Sequence, residues 1–163
     1  MERRRDRRQA EKRPARGKGL CVKREDVHLE IVSDARLLQS IRGLVSGYLK
    51  GFGYSQDRIN EVVLAVTEAC SNSIRHAYSG SNKGVLDLTL HSDDSFFEII
   101  LQDRGKSANP EQVARRSAKA PDPETLTPGG LGIQLMYEVF DNVEFAPDLD
   151  EGNRVVMRLK RPE

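Results

Sequence analysis

One segment constrains the fold of this chain more than any other. Between Ser55 and Ala77, Ile59, Val62, Val63, Val66, Ala69, Cys70, Ile74 and Ala77 recur with a helical period. The stripe runs for about five turns, and a helix with such a face needs a second layer to cover it. Ser55 supplies an oxygen that caps the first turn.

The covering layer is legible as alternation. Val27, Leu29 and Ile31 alternate with polar residues, as do Leu86, Leu88 and Leu90 and then Phe97, Ile99 and Leu101, joined by the hairpin turn Ser92-Asp93-Asp94-Ser95. Val143 with Phe145, and Val155, Met157 and Leu159, read as two further strands. Another helix carries Leu37, Leu38, Ile41, Leu44, Val45, Tyr48, Leu49 and Phe52, capped by Ser33 or Asp34 and ended by Gly51 and Gly53. A third carries Ile133, Leu135, Met136, Val139 and Phe140 behind Gly129-Gly130-Leu131-Gly132. The order strand, helix, helix, two strands, long connection, helix, two strands predicts an α+β fold. It is a two-layer sandwich, with a mostly antiparallel sheet covered by helices on one face.

At 163 residues the chain has room for one domain and a tail. No apolar run approaches the ~18 residues of a membrane span, and the arginines near the start precede no apolar segment. No membrane contact is therefore expected. Cys21 and Cys70 match no metal spacing or disulfide framework and suit a reducing, cytoplasmic compartment. The net charge of +1 hides an asymmetry, because residues 1–19 hold nine Lys or Arg against three acids, net +6, and the remainder sums to −5. Residues 1–24 read as a basic, solvated and disordered arm; contact with nucleic acid or an acidic partner is the other reading. The acidic body, residues 25–163, argues against a nucleic-acid-binding domain. Within it, residues 104–129 hold Pro110, Pro121, Pro123, Pro128, Lys106, Arg115, Arg116 and Lys119, the composition of a lid.

Three constellations can carry chemistry. On the long helix, Glu68 and Asn72 are i, i+4 neighbours about 180° and 220° from the apolar stripe. Glu61 and Arg75 share their face. The array is either a solvated surface or a general base one turn from an amide oxygen fit for a hard cation such as Mg²⁺. Next, counting by twos along Phe97, Ile99 and Leu101 puts Asp103 on the inward face, where a carboxylate needs a partner; Gly105 follows. An exocyclic amine, as on adenine, would satisfy such a carboxylate, although Asp and Gly also favour an ordinary turn. Last, Gly129-Gly130-Leu131-Gly132 at a helix start exposes N–H groups suited to an anion, or forms a flexible exit from the lid. Gly105-Lys106-Ser107 is not a Walker A loop, because the glycine required five residues earlier is Ile100. His76, His28 and His91 read as structural or outward residues.

The order of these motifs resembles the GHKL (Bergerat-fold) ATPases, and their wording is most similar to the bacterial anti-sigma-factor serine kinases of the RsbW type. The matching text is Val66-Thr67-Glu68-Ala69-Cys70-Ser71-Asn72-Ser73-Ile74-Arg75-His76-Ala77-Tyr78, then Asp103-Arg104-Gly105-Lys106, then Gly129-Gly130-Leu131-Gly132-Ile133. The resemblance implies Glu68 as the catalytic base, Asn72 as the Mg²⁺ ligand, and Asp103 on the adenine amino group with Gly105 leaving room for the ring. It also implies that Gly130, Leu131 and Gly132 present N–H groups to the ATP phosphates and that Arg75 reaches a phosphate. The implied activity is serine/threonine kinase, with a sigma factor and a small antagonist protein as partners. A homodimer is an assembly common in the family. A non-catalytic nucleotide-gated binding module and a signalling kinase working without a sigma factor are the alternatives. Two departures stand out. The family often has Gly-Thr entering its last strand where this chain has Gly152-Asn153, and an aromatic before Asp-Pro where it has Ala108-Asn109-Pro110.

Overall fold

The computed structural model describes residues 27–80, 82–107, 131–147 and 152–162. The basic arm, residues 108–129 of the expected lid, and Gly130 lie outside the described residues. Strand β1 is Val27–Val32. A single 3-10 turn, Ala35–Leu37, leads into helix α1, Leu38–Lys50. Helix α2 is Gln56–His76. Then come β2 (Val85–Ser92), β3 (Phe96–Asp103), α3 (Leu131–Val139), β4 (Asn142–Pro147) and β5 (Asn153–Lys160). No described helix is long and apolar enough to cross a membrane.

The caps fall where the residues allow. Ser55 accepts from the Arg58 N–H and opens α2. Asp34 caps the 3-10 turn by accepting from the Arg36 N–H. Ser33 instead binds the sheet, its Oγ accepting from the Gly84 N–H at 3.0 Å. Between α1 and α2 the chain turns at Gly53, φ +80°.

The five strands form one sheet in the order β1-β2-β3-β5-β4, every neighbouring pair antiparallel. Leu88, Leu101 and Val155 stand in register across its middle. The inward residues of β2, β3, β4 and β5 join Ile41, Val45 and Leu49 of α1, the α2 stripe, and Ile133, Met136 and Val139 of α3 in a single core. The expected α+β sandwich is the observed one. Helix α2 is more deeply embedded than its stripe foretold, since Ala65 and Thr67 are buried as well. It packs against α1 along one flank and α3 along the other.

The opposite sheet face is mainly polar. There Glu98, 5% exposed, accepts from Arg158 Nε, and Arg158 also reaches Glu144 Oε1 at 3.3 Å. A buried carboxylate is tolerated because that guanidinium neutralises it. His91 points outward as its strand position predicts but is buried.

Candidate functional site: a carboxylate pocket beside helix α2

Asp103 ends β3 on the inward face and is only 2% exposed. Its Oδ1 accepts from the Gly105 N–H at 3.1 Å and from Asn153 Nδ2 at 3.0 Å. Among the described residues nothing donates to Oδ2. A buried carboxylate with one oxygen held and the other free is poised to accept from a ligand. Asn153 Nδ2 also donates to the Lys106 carbonyl at 3.1 Å, so its two hydrogens serve two acceptors. In place of the family's threonine, this carboxamide ties the start of β5 to the turn after Asp103.

The turn itself rests on the end of α2. A Cβ on Gly105 would stand 2.5 Å from the Ala77 carbonyl oxygen, which already accepts from the Lys106 N–H at 3.0 Å. Room for a ring was the expected reason for Gly105; close packing against α2 is a second, visible one. Three residues that sequence reasoning gave no role complete the frame. The Tyr78 hydroxyl accepts from the Arg104 N–H at 2.7 Å and donates to the Val85 carbonyl at 2.6 Å. Ser107 Oγ accepts from the Gly152 N–H at 3.1 Å. Gly152 has φ +123°, and a Cβ there would overlap the Asp103 carbonyl. No local signal marks them, because each contact but one spans more than 25 residues of chain.

Glu68 and Asn72 lie half-buried on α2, and the first turn of α3 closes over them. A Cβ on Gly132 would sit 3.0 Å from Glu68 Oε2 and 3.3 Å from Asn72 Nδ2, so only glycine permits that approach without displacement. The arrangement sets a helix N-terminus, with N–H groups free of intrahelical partners, beside a carboxylate and a carboxamide. Neither Glu68 nor Asn72 has a hydrogen-bond partner among the described residues. Beneath them, buried Thr67 donates to the Val63 carbonyl at 2.6 Å and accepts from Arg42 Nε at 3.2 Å, pinning α1 to α2 at this level.

Arg75 lies one turn past Asn72 on α2 and is exposed. Its Nη2 donates to Ser71 Oγ at 3.2 Å, and the residue lines a separate groove with Ser33, Asp34, Arg36 and Ile74. Cys70 is wholly buried, and burial pushes its thiol up to about 12, which makes it packing material and not a nucleophile.

Among the described residues no three His, Cys, Asp or Glu side chains gather as metal ligands. Among the described residues, Asn72 offers an unengaged side-chain amide beside the helix N-terminus. That donor set fits Mg²⁺, which takes few protein ligands and completes its shell with water and substrate phosphate.

Comparison with known proteins agrees with this geometry. Residues 31–159 match the family model described as a histidine kinase-like ATPase domain. The chain is 30% identical over 121 residues to a serine-protein kinase RsbW of Bacillus velezensis, covering 72% of this chain and 76% of that protein. With a serine-protein kinase RsbW of Bacillus licheniformis the identity is 31% over 141 residues, covering 83% and 87%. Among solved structures, the RsbU and RsbW domains of a Mycobacterium tuberculosis protein superpose with a TM-score of 0.54 at 16% identity, over 83% of this chain and 33% of that one. The SiaB-SiaC complex of Pseudomonas aeruginosa gives 0.56 at 12% identity, over 83% and 89%. At such identities the two structures speak for the fold alone.

Proposed function

The chain belongs to the histidine kinase-like ATPase domain family and, within it, to the RsbW serine-protein kinases, and from that premise we propose a regulatory kinase that sequesters a sigma factor and phosphorylates a small antagonist protein on serine, using Mg-ATP in the cytoplasm. The observation that carries the nucleotide site is the half-satisfied carboxylate of Asp103. Its free Oδ2 accepts from the amino group of adenine, while Gly105 keeps the turn flush against α2. Leu131 and Gly132 begin α3 beside Asn72, and the N–H groups of that helix start receive the phosphates.

Phosphoryl transfer asks for position and charge neutralisation more than covalent help from the protein. When bound, Mg²⁺ supplies charge neutralisation for the phosphate oxygens, with Asn72 as its protein ligand. Glu68 accepts the proton of the substrate serine hydroxyl. The serine oxygen forms its bond to the γ-phosphorus as the bond to the ADP leaving oxygen breaks. Glu68 is half-buried beside that helix terminus, and no described donor competes for its carboxylate.

A departure at the last strand favoured a non-catalytic module. Asn153 removes that motive, since it makes the bond to Asp103 that the departure put in question. The test is incubation of the full chain with labelled ATP, Mg²⁺ and candidate antagonist proteins. Transfer to serine that is abolished by Glu68→Ala is expected. Nucleotide binding without any transfer, unchanged by Glu68→Ala, would leave a binding module and end the kinase reading.

A further inference from the structure

Beside the nucleotide site, a groove of about 570 Å³ runs between the Ser33–Arg36 turn and the last two turns of α2, with Ile74 in its wall. Ser71 and Arg75, in its lining, lie 100° and about 60° around the helix from Asn72, so the groove flanks the Asn72–Gly132 contact. Two guanidinium groups reach it. Arg36 is held by Asp34, which takes four hydrogen bonds from it and so has little left to offer another cation. Those bonds hold the Asp34 carboxyl down to about 2, so it stays ionised and paired. Arg75 has only the Ser71 hydroxyl; among the described residues no carboxylate meets it. The groove therefore carries one positive charge in excess, on an exposed side chain with most of its N–H donors unused.

Building on the kinase reading above, we propose that this groove selects the protein substrate. Arg75 receives a carboxylate on the substrate's surface while the acceptor serine reaches Glu68. The spacing follows from the helix. Seven residues separate Glu68 from Arg75 in sequence, about 10 Å at 1.5 Å per residue, on nearly one line along α2 from a half-buried to an exposed position. The substrate's acidic side chain accordingly lies about 10 Å from its acceptor hydroxyl. The groove is open along its length and much larger than a single phosphate, which suits a side chain carried on a protein surface. Arginine there is a specificity residue, since its planar fork grips a carboxylate in two bonds.

The test uses the full chain with Mg-ATP and the antagonist protein it phosphorylates, comparing Arg75→Glu and the milder Arg75→Gln. The KM for the protein substrate should rise ten- to a hundred-fold in Arg75→Glu and less in Arg75→Gln. The Kd for ADP, measured by calorimetry, should stay within two-fold, which also certifies folding. Changing to Arg the substrate's acidic residue about 10 Å from its serine should restore the Arg75→Glu enzyme and impair the natural one. An unchanged KM, or a loss that falls on ADP affinity and marks Arg75 as a phosphate ligand, overturns the proposal. A chain that transfers no phosphate at all defeats the kinase reading instead. The groove is then judged by whether Arg75→Glu weakens stoichiometric binding of the antagonist in ADP.

Discussion

Replacing Asp103 with Asn separates what that side chain does for the fold from what it does for a ligand. In the native protein Oδ1 serves Gly105 and Asn153, while among the described residues nothing donates to Oδ2. An asparagine can keep both internal bonds through its carbonyl oxygen. Its NH₂ then takes the place of Oδ2 and turns a donor toward the adenine amino group, itself a donor. The ligand loses one hydrogen bond to a charged acceptor, roughly 1.5–3 kcal/mol, which corresponds to about a ten- to 150-fold weaker Kd for ADP. Stability should change little, within roughly 1 kcal/mol, or about 2–4 °C in the melting temperature of a domain this size. Isothermal titration with ADP and with inosine diphosphate provides the assay, because hypoxanthine carries an oxygen where adenine carries the amine. The native chain should prefer ADP by at least ten-fold, and Asp103→Asn should erase that preference. Equal affinity of the native chain for the two nucleotides would refute the role given to Oδ2, however well both bound.

Other perturbations test the frame around that oxygen. Gly152→Ala places a side chain at φ +123° against the Asp103 carbonyl; the backbone strain alone is about 1–3 kcal/mol, and calorimetric melting should fall by several degrees. Arg158→Leu takes one partner from buried Glu98 and should cost about 1–3 kcal/mol in urea unfolding, whereas the double change with Glu98→Leu should recover most of it. Cys70 should be inert to thiol reagents at pH 8 until the chain unfolds. Since folding raises its pKa from 9.0 to about 12, the folded state holds a proton that the unfolded state releases. Its share of stability is full below pH 9 and is lost as pH rises toward 12. Cys70→Ala should lessen the fall in melting temperature over that window.

Period arguments carried the sequence reading as far as side-chain direction. Counting from Phe97 puts Asp103 inward, and turning 100° per residue sets Glu68 and Asn72 on one face; each placement follows from a single element and agrees with the structure. The ordering of strands was not legible in the same way. That β5 enters between β3 and β4 depends on pairing over tens of residues, for which no local residue votes. The reason for Gly105 was half-read for the same cause, because Ala77 lies 28 positions away. The burial of His91 and Glu98 escaped because alternation reports which face a residue takes, and neighbouring long side chains decide how much water reaches it. Asn153 was noticed as a departure from a family habit, and its place opposite Asp103 in the register of β3 and β5 shows why the habit can be broken.

The late insertion of β5 also bears on how the protein is made. A ribosome delivers the chain from its first residue onward, so α2 and β3, with Glu68 and Asp103, emerge while the strand that anchors Asp103 is still unsynthesised. Until residues 153–160 slot in beside β3, that acid lacks its carboxamide partner and one edge of the sheet's middle strand is bare. Nascent chains stalled before residue 153 would thus be poor at capturing adenine nucleotide, and this competence would arrive as a late step of biogenesis.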